Sequence, residues 1–228
     1  MSPGPIVTAM DLLAPAAGAI VAAVIGWFAA ANQHRLYSEP LFQQQPMTGT
    51  RARNWRMAVA AAAAVVAAIA LRPDHYDLAP GILTAAFGFV LVLISSTDFE
   101  RHRIPNVVSY PTAAAAAALC WAWPDRDATD IAAGAGFALI AGVIFFGLGL
   151  LASRGGTGLG LGDVKLMLVI GLVVGWPTVM FSLFLGVMLA GIPAVILIVR
   201  GKVGAHFAYG PYLAAGGLVG MLFPNLLT

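Results

Sequence analysis

Charge is what this chain has least of: Asp, Glu, Lys and Arg supply 10% of its 228 residues, against roughly 25% in an ordinary soluble domain. Hydrophobic residues supply 60%, and the mean hydropathy is +0.88. Together these exclude a soluble globular domain and predict an all-α, polytopic membrane protein. The net charge is only +2 and no long basic block occurs, so nothing points to nucleic acid. A single cysteine, Cys120, permits neither an intrachain disulfide nor a cysteine-based zinc site. Its Ala-rich, apolar surroundings make it a buried structural thiol. The four histidines, His34, His75, His102 and His206, show no H-E-x-x-H spacing, which argues against a zinc intramembrane protease. Ser95 and Ser96 have no G-x-S-x-G turn around them, so serine-based proteolysis fits poorly. The amino terminus has no Lys or Arg ahead of its apolar run and so lacks the basic start of a signal peptide.

Long apolar runs are abundant. They cover about 13–31, 57–71, 80–97, 107–123, 130–152, 164–176, 177–199 and 209–226. A spanning helix needs about 17–25 residues; most runs qualify, while 57–71 is short and Ala-rich. The stretch 164–199 is too long for one helix and divides at Gly175-Trp176-Pro177, because proline starts a helix readily and breaks one in its middle. Eight transmembrane helices are therefore expected, the first two (1–79) joined by a short polar stub, 32–56, and the remaining six occupying 80–228. Gly171 with Gly175, and Gly216 with Gly220, have the small-xxx-small spacing that lets helix backbones approach closely in lipid.

The basic residues orient this bundle. With the amino terminus outside, loops 32–56, 98–106, 153–165 and 200–208 fall inside and hold 10 of the 12 Lys and Arg. Only Arg72 and Arg126 fall outside, among five aspartates: Asp74, Asp77, Asp125, Asp127 and Asp130. Such a positive-inside bias predicts a multi-pass membrane protein with these four loops on the cytoplasmic side. It also places two carboxylates, Asp98 and Asp163, at one cytoplasmic face.

Asp163 follows a glycine ramp, GGTGLGLGD, in which Gly155, Gly156, Gly158, Gly160 and Gly162 remove side chains and allow unusual backbone. Irregular backbone at membrane depth is tolerated where it packs against protein or lines a wet cavity. The ramp is no phosphate loop, for the Gly-Lys-Ser/Thr that should follow is missing. The plain alternative for Asp163 is a first-turn acid favoured by the helix dipole. Asp98 lies in SSTDFERHRIPN, whose plain alternative is a solvated, charge-rich turn. Two carboxylates in close reach cannot both ionise cheaply, and titrate as a pair. One can then take a proton from water while the other donates to a scissile carbonyl, which is aspartic-protease chemistry without metal or covalent intermediate.

Asp98, followed after six residues by Pro105 and Asn106, resembles the first active-site motif of the type IV prepilin peptidases. Gly160-Leu161-Gly162-Asp163-Val164-Lys165-Leu166 resembles their GxGD motif, shared with presenilin-type and archaeal preflagellin peptidases. Phe207-Ala208-Tyr209-Gly210-Pro211-Tyr212-Leu213-Ala214 is similar to the Gly-Pro helix start near the family's carboxyl end. The resemblance covers roughly residues 80–225. It implies a membrane-embedded aspartic endopeptidase with Asp98 and Asp163 as its catalytic pair and no cofactor. Its substrates would be prepilins or pseudopilins, cut at a short basic leader on the cytoplasmic side, with pilus or type II secretion machinery as partners. Bifunctional members of the family also methylate the new amino terminus and carry two Cys-x-x-Cys zinc pairs between their first two helices. The matching stub here has no cysteine, so the resemblance implies a peptidase without methyl transfer.

Lys165 would reach the acids or substrate from a turn conformation, but would point away on a helix and serve as a positive-inside anchor. Glu100 could attract a basic leader, although Arg101 and Arg103 already offer it partners. Pro105 and Asn106 are expected to shape a turn and cap the next helix, and Gly210 and Pro211 to start the last one. From other classes, a proton-coupled transporter component would also use intramembrane acids. An inactive family member could act as a scaffold of a secretion or pilus system.

Overall fold

The computed structural model describes residues 9–37, 47–123, 125–152, 160–201 and 208–224. Every apolar run of the sequence becomes one helix: α1 (Ala9–Asn32), α2 (Gly49–Ala70), α3 (Leu78–Arg101), α4 (Asn106–Leu119), α5 (Ala128–Ala152), α6 (Leu161–Val174), α7 (Thr178–Val199) and α8 (Gly210–Leu222). A short 3-10 turn, Gln33–Leu36, follows α1. Among the described residues there is no strand. Gly155, Gly156 and Gly158 of the ramp, Arg154, Lys202, His206, Phe207 and the stub's middle lie outside the described residues.

Among the described residues, five helices are long and apolar enough to cross a membrane: α1, α2, α3, α5 and α7. The other three, α4, α6 and α8, have 14, 14 and 13 residues; at 1.5 Å per residue such helices reach about 20 Å, short of the roughly 30 Å hydrocarbon core. The eight apolar runs are thus eight helices of unequal reach. The weak run 57–71 belongs to a full-length helix because α2 begins eight residues earlier, at Gly49, and recruits the polar sequence TRARNWR into its first two turns. Those residues have ordinary helix propensity and no apolar period to announce them. The break inside 164–199 falls at Gly175–Pro177, where Gly175 takes a left-handed φ of 73°.

Most of the core lies among α3 to α8, around Leu91, Ile94, Leu166, Met167, Ile170 and Leu213, each no more than 2% exposed. A second cluster (Ala30, Val59, Val66, Ala70, Val92 and Leu222) joins α1 and α2 to α3 and α8. Glycines set the closest approaches, as their spacing suggested. A Cβ on Gly171 would lie 2.5 Å from the Gly134 carbonyl oxygen of α5. One on Gly216 would lie 2.1 Å from the Ser182 carbonyl oxygen of α7. Gly220 likewise leaves room for the Ser182 hydroxyl, which its Cβ would meet at 2.0 Å.

At the end of the bundle away from Asp98 and Asp163, side chains from the loops close helix carboxyl termini whose carbonyls would otherwise lack partners. Tyr76 Oη donates to the Met221 carbonyl at 2.8 Å. His75 Nε2 bonds the Leu222 carbonyl, and Arg126 donates to that of Val173. Cys120 departs from expectation. The chain leaves α4 at Leu119 and passes through a 3-10 turn, so the thiol is only half-buried and donates to the Ala117 carbonyl.

Gly216→Ala should therefore force α7 and α8 apart and destabilise the fold by about 1–3 kcal/mol, the range for overpacking. Gly136→Ala in α5, where a Cβ meets nothing within 4 Å, should be neutral. Thermal unfolding of the two variants in one detergent makes the comparison.

Candidate active site

Four helix ends converge at one end of the bundle: the carboxyl end of α3 and the amino ends of α4, α6 and α8. Asp98 sits in the last turn of α3 and is 5% exposed. A carboxylate there faces the negative end of its own helix dipole, an unfavourable place for it. The compensation comes from elsewhere. Asp98 Oδ2 accepts the backbone N–H of Gly210, the first residue of α8, at 2.9 Å. The acid belongs to one helix carboxyl terminus by sequence and to another helix's amino terminus by contact.

Gly210 is glycine for a steric reason. A Cβ there would lie 2.7 Å from Asp98 Oδ2 and 3.1 Å from its carboxyl carbon. Pro211 follows in the first turn of α8, where its missing N–H removes no helical bond and its fixed φ suits the helix. Both residues stand where the sequence placed them, at the start of the last helix.

Asp163 is the third residue of α6 and 8% exposed. Its Oδ2 accepts the Gly160 N–H at 2.9 Å, while its own N–H donates to the Gly160 carbonyl at 3.0 Å. This is the acid's half of a capping box, with glycine as the N-cap. The plain reading of Asp163 as a first-turn acid is therefore correct as far as it goes; burial and its neighbours add to it. Asp98 lies within electrostatic range of Asp163, and so does Tyr209, next to Gly210. Gly162 lets the loop after α3 close on α6, since a Cβ on it would lie 3.2 Å from Ile104 Cβ. The two acidic segments are thus packed against each other.

Lys165 is helical, and the helix carries it away from the acids. Its Nζ donates to Asn106 Oδ1 at 2.7 Å and lies 4.6 Å from the Tyr110 ring centroid, binding α6 to α4. Asn106 consequently does not cap α4. Pro105 occupies the N-cap position, without a side-chain bond, and Asn106 is the first helical residue. The turn between them and α3 is made at His102, whose left-handed backbone (φ 53°) lets its N–H return to the Asp98 carbonyl at 2.7 Å.

Glu100 is no exposed lure for a basic peptide. It pairs with Arg101 at 3.5 Å and accepts a hydrogen bond from Gln33. Gln33, Tyr37, Trp55 and Ser96 form a polar cluster beside the site that the sequence did not reveal. Its available signal was Ser95-Ser96-Thr97, hydroxyls at the end of an otherwise apolar run. Among the described residues, no group of three or more His, Cys, Asp or Glu is placed to hold a metal ion.

Residues 85–196 match the model of the type IV leader peptidase family. Two curated relatives, each named prepilin leader peptidase/N-methyltransferase, come from Aeromonas salmonicida and from its strain A449. Each is 28% identical to this chain over 176 residues, covering 72% of this chain and 55% of the relative. The chain thus spans about half the length of the curated relatives it matches. No solved structure matches it significantly.

Gly210→Ala should destabilise the protein by about 1–3 kcal/mol through collision with the Asp98 carboxyl. Measured again in an Asp98→Ala background, that penalty should shrink, because the obstructing oxygens are gone. Equal penalties in the two backgrounds would remove the carboxylate from the account of Gly210.

Proposed function

Over residues 85–196 the chain belongs to the type IV leader peptidase family, and from this premise we propose that it is a membrane-embedded aspartic endopeptidase that removes the leader from prepilin-like proteins. The observation that carries the reading is the pair of buried acids. Asp98 and Asp163 stand within electrostatic range, each with one oxygen on a backbone N–H at a helix amino terminus. A structural carboxylate needs only one partner and no second carboxylate beside it; close like charges out of water are costly and recur where they are used.

The chemistry follows from that arrangement. One proton is shared by the pair. The ionised carboxylate takes a proton from a water molecule as the water oxygen attacks the scissile carbonyl carbon. The protonated partner donates to the carbonyl oxygen, giving a neutral tetrahedral diol. Collapse returns a proton to the departing nitrogen, breaks the C–N bond and restores the shared proton. The N–H of Gly160 and of Gly210 hold the two Oδ2 atoms in place, so each acid presents its other oxygen to water or substrate.

In this reading residues 80–228 form the catalytic part and 1–79 a framing pair of helices, with the amino terminus outside and both acids on the cytoplasmic side of the inner membrane. The distribution of Lys and Arg supports that orientation. Prepilins or pseudopilins are the substrates, with pilus or type II secretion machinery downstream. The stub between α1 and α2 has no cysteine, which supports cleavage without methyl transfer.

Leader removal from a co-expressed prepilin, followed in membranes by gel shift, tests the mechanism. Asp98→Asn and Asp163→Asn should each slow cleavage by at least about a thousandfold while the protein remains inserted at native level. Cleavage surviving in either variant would reduce that acid to a helix-end anchor. Mass spectrometry of the mature product should find its new amino terminus unmethylated.

A further inference from the structure

We propose that Gln33, Tyr37 and Trp55, contributed by the 3-10 turn after α1 and by α2, are positioning residues for Asp98. The proposal rests on the catalytic reading of that acid and extends it to the part of the chain outside the family match.

With 3.6 residues per turn, Ser96 and Glu100 share one face of the last turn of α3, and Asp98 points about half a turn away. The face of Asp98 is held by Gly210 of α8. The opposite face is held by residues that precede α3. Ser96 Oγ donates to Gln33 Oε1 at 2.6 Å and accepts from Trp55 Nε1 at 3.0 Å. Gln33 Nε2 donates to Glu100 Oε2. Tyr37 Oη donates to the Thr97 carbonyl at 3.1 Å, while Arg101 lies 5.1 Å over the Tyr37 ring. The Trp55 ring also meets Phe99, with centroids 5.6 Å apart. Ser96, Thr97, Phe99, Glu100 and Arg101 surround Asp98 in sequence, and each touches α1, α2 or the turn between them.

The cluster is dry. Gln33 is 2% exposed, and Tyr37 and Ser96 are 5%. A buried amide or hydroxyl is tolerated only with its bonds made, so this network has one satisfied arrangement and resists sliding. Tyr37 remains a donor at physiological pH, its hydroxyl pushed up to about 12 by burial and by the nearby Glu100 carboxylate. The last turn of α3 is therefore clamped between two supports, and loosening one lets Asp98 drift from α8.

The test is steady-state cleavage of a prepilin by the full chain in membranes, comparing native protein with Gln33→Leu, Ser96→Ala, Tyr37→Phe and Gln33→Leu/Ser96→Ala. A displaced catalytic acid lowers kcat by about ten- to a hundredfold and leaves KM within about twofold, because substrate binding is not what the clamp governs. Gln33 and Ser96 share one contact while Gln33 also holds Glu100 and Ser96 also holds Trp55, so the double variant should lose less than the product of the Gln33→Leu and Ser96→Ala losses measured singly. If Gln33→Leu fails to insert, Tyr37→Phe, which loses one hydroxyl, carries the same expectation. Native kcat in the inserted variants, or a loss confined to KM, overturns the proposal and leaves the peptidase reading standing. A native chain that cleaves nothing, or an active Asp98→Asn, overturns the peptidase reading and this proposal with it.

Discussion

Two carboxylates have to be taken out of water and kept in place by a protein with almost no charge to spare for the purpose. That constraint governs the architecture around Asp98 and Asp163. Each accepts a hydrogen bond from a backbone N–H group, at the amino ends of α6 and α8. A helix amino terminus offers unpaired donors and partial positive charge without bringing a titratable cation. An arginine in the same position would hold both acids ionised and spoil them for proton transfer. Helix ends stabilise an acid while leaving it free to exchange its proton, which suits an acid meant to react.

That solution demands that helix ends be brought together accurately, and the rest of the molecule can be read as doing so. Lipid provides little hydrophobic drive between helices, so close packing and polar contacts must hold them. Gly134 and Gly171 bring α5 against α6; Gly186 and Gly216 bring α7 against α8. These approaches fix the two helices whose amino ends hold the acids. On the far side Tyr76, His75 and Arg126 close the carboxyl ends of the same two helices. On the near side Lys165 and Asn106 join α6 to α4. The three short helices, α4, α6 and α8, begin at the site and lack the length, which the five long ones have, to cross a hydrocarbon core. Their amino ends matter more here than their length.

The first two helices acquire a role by the same logic. The match to the leader peptidase family begins at residue 85, after α2. Yet Gln33, Tyr37 and Trp55 bond one face of the last turn of α3. In the proposed reaction a segment that supplies neither Asp98 nor Asp163 still bears on where Asp98 stands.

Much of this was legible in the residues. Apolar runs against scarce charge announce helices and a membrane, because an apolar stretch must be buried in something and a spanning backbone must satisfy itself internally. The three motifs marked Asp98, Asp163 and Gly210, and Lys and Arg placed both acids at one end. Composition could not show where α2 begins, since Thr50 to Arg56 has no apolar period and becomes helical only with support from its neighbours. Nor could it show that Lys165 faces α4, that Pro105 and not Asn106 holds the N-cap, or that Cys120 is half exposed. Each of these depends on where a chain end falls in three dimensions. The identity of the acids is a property of the sequence, because it lies in which residue follows which. Their partners are a property of the fold: Gly210 is 112 residues from Asp98, and Gln33 is 63 from Ser96. Only the packing of whole helices brings such distant groups within a hydrogen bond, and no local pattern carries that distance.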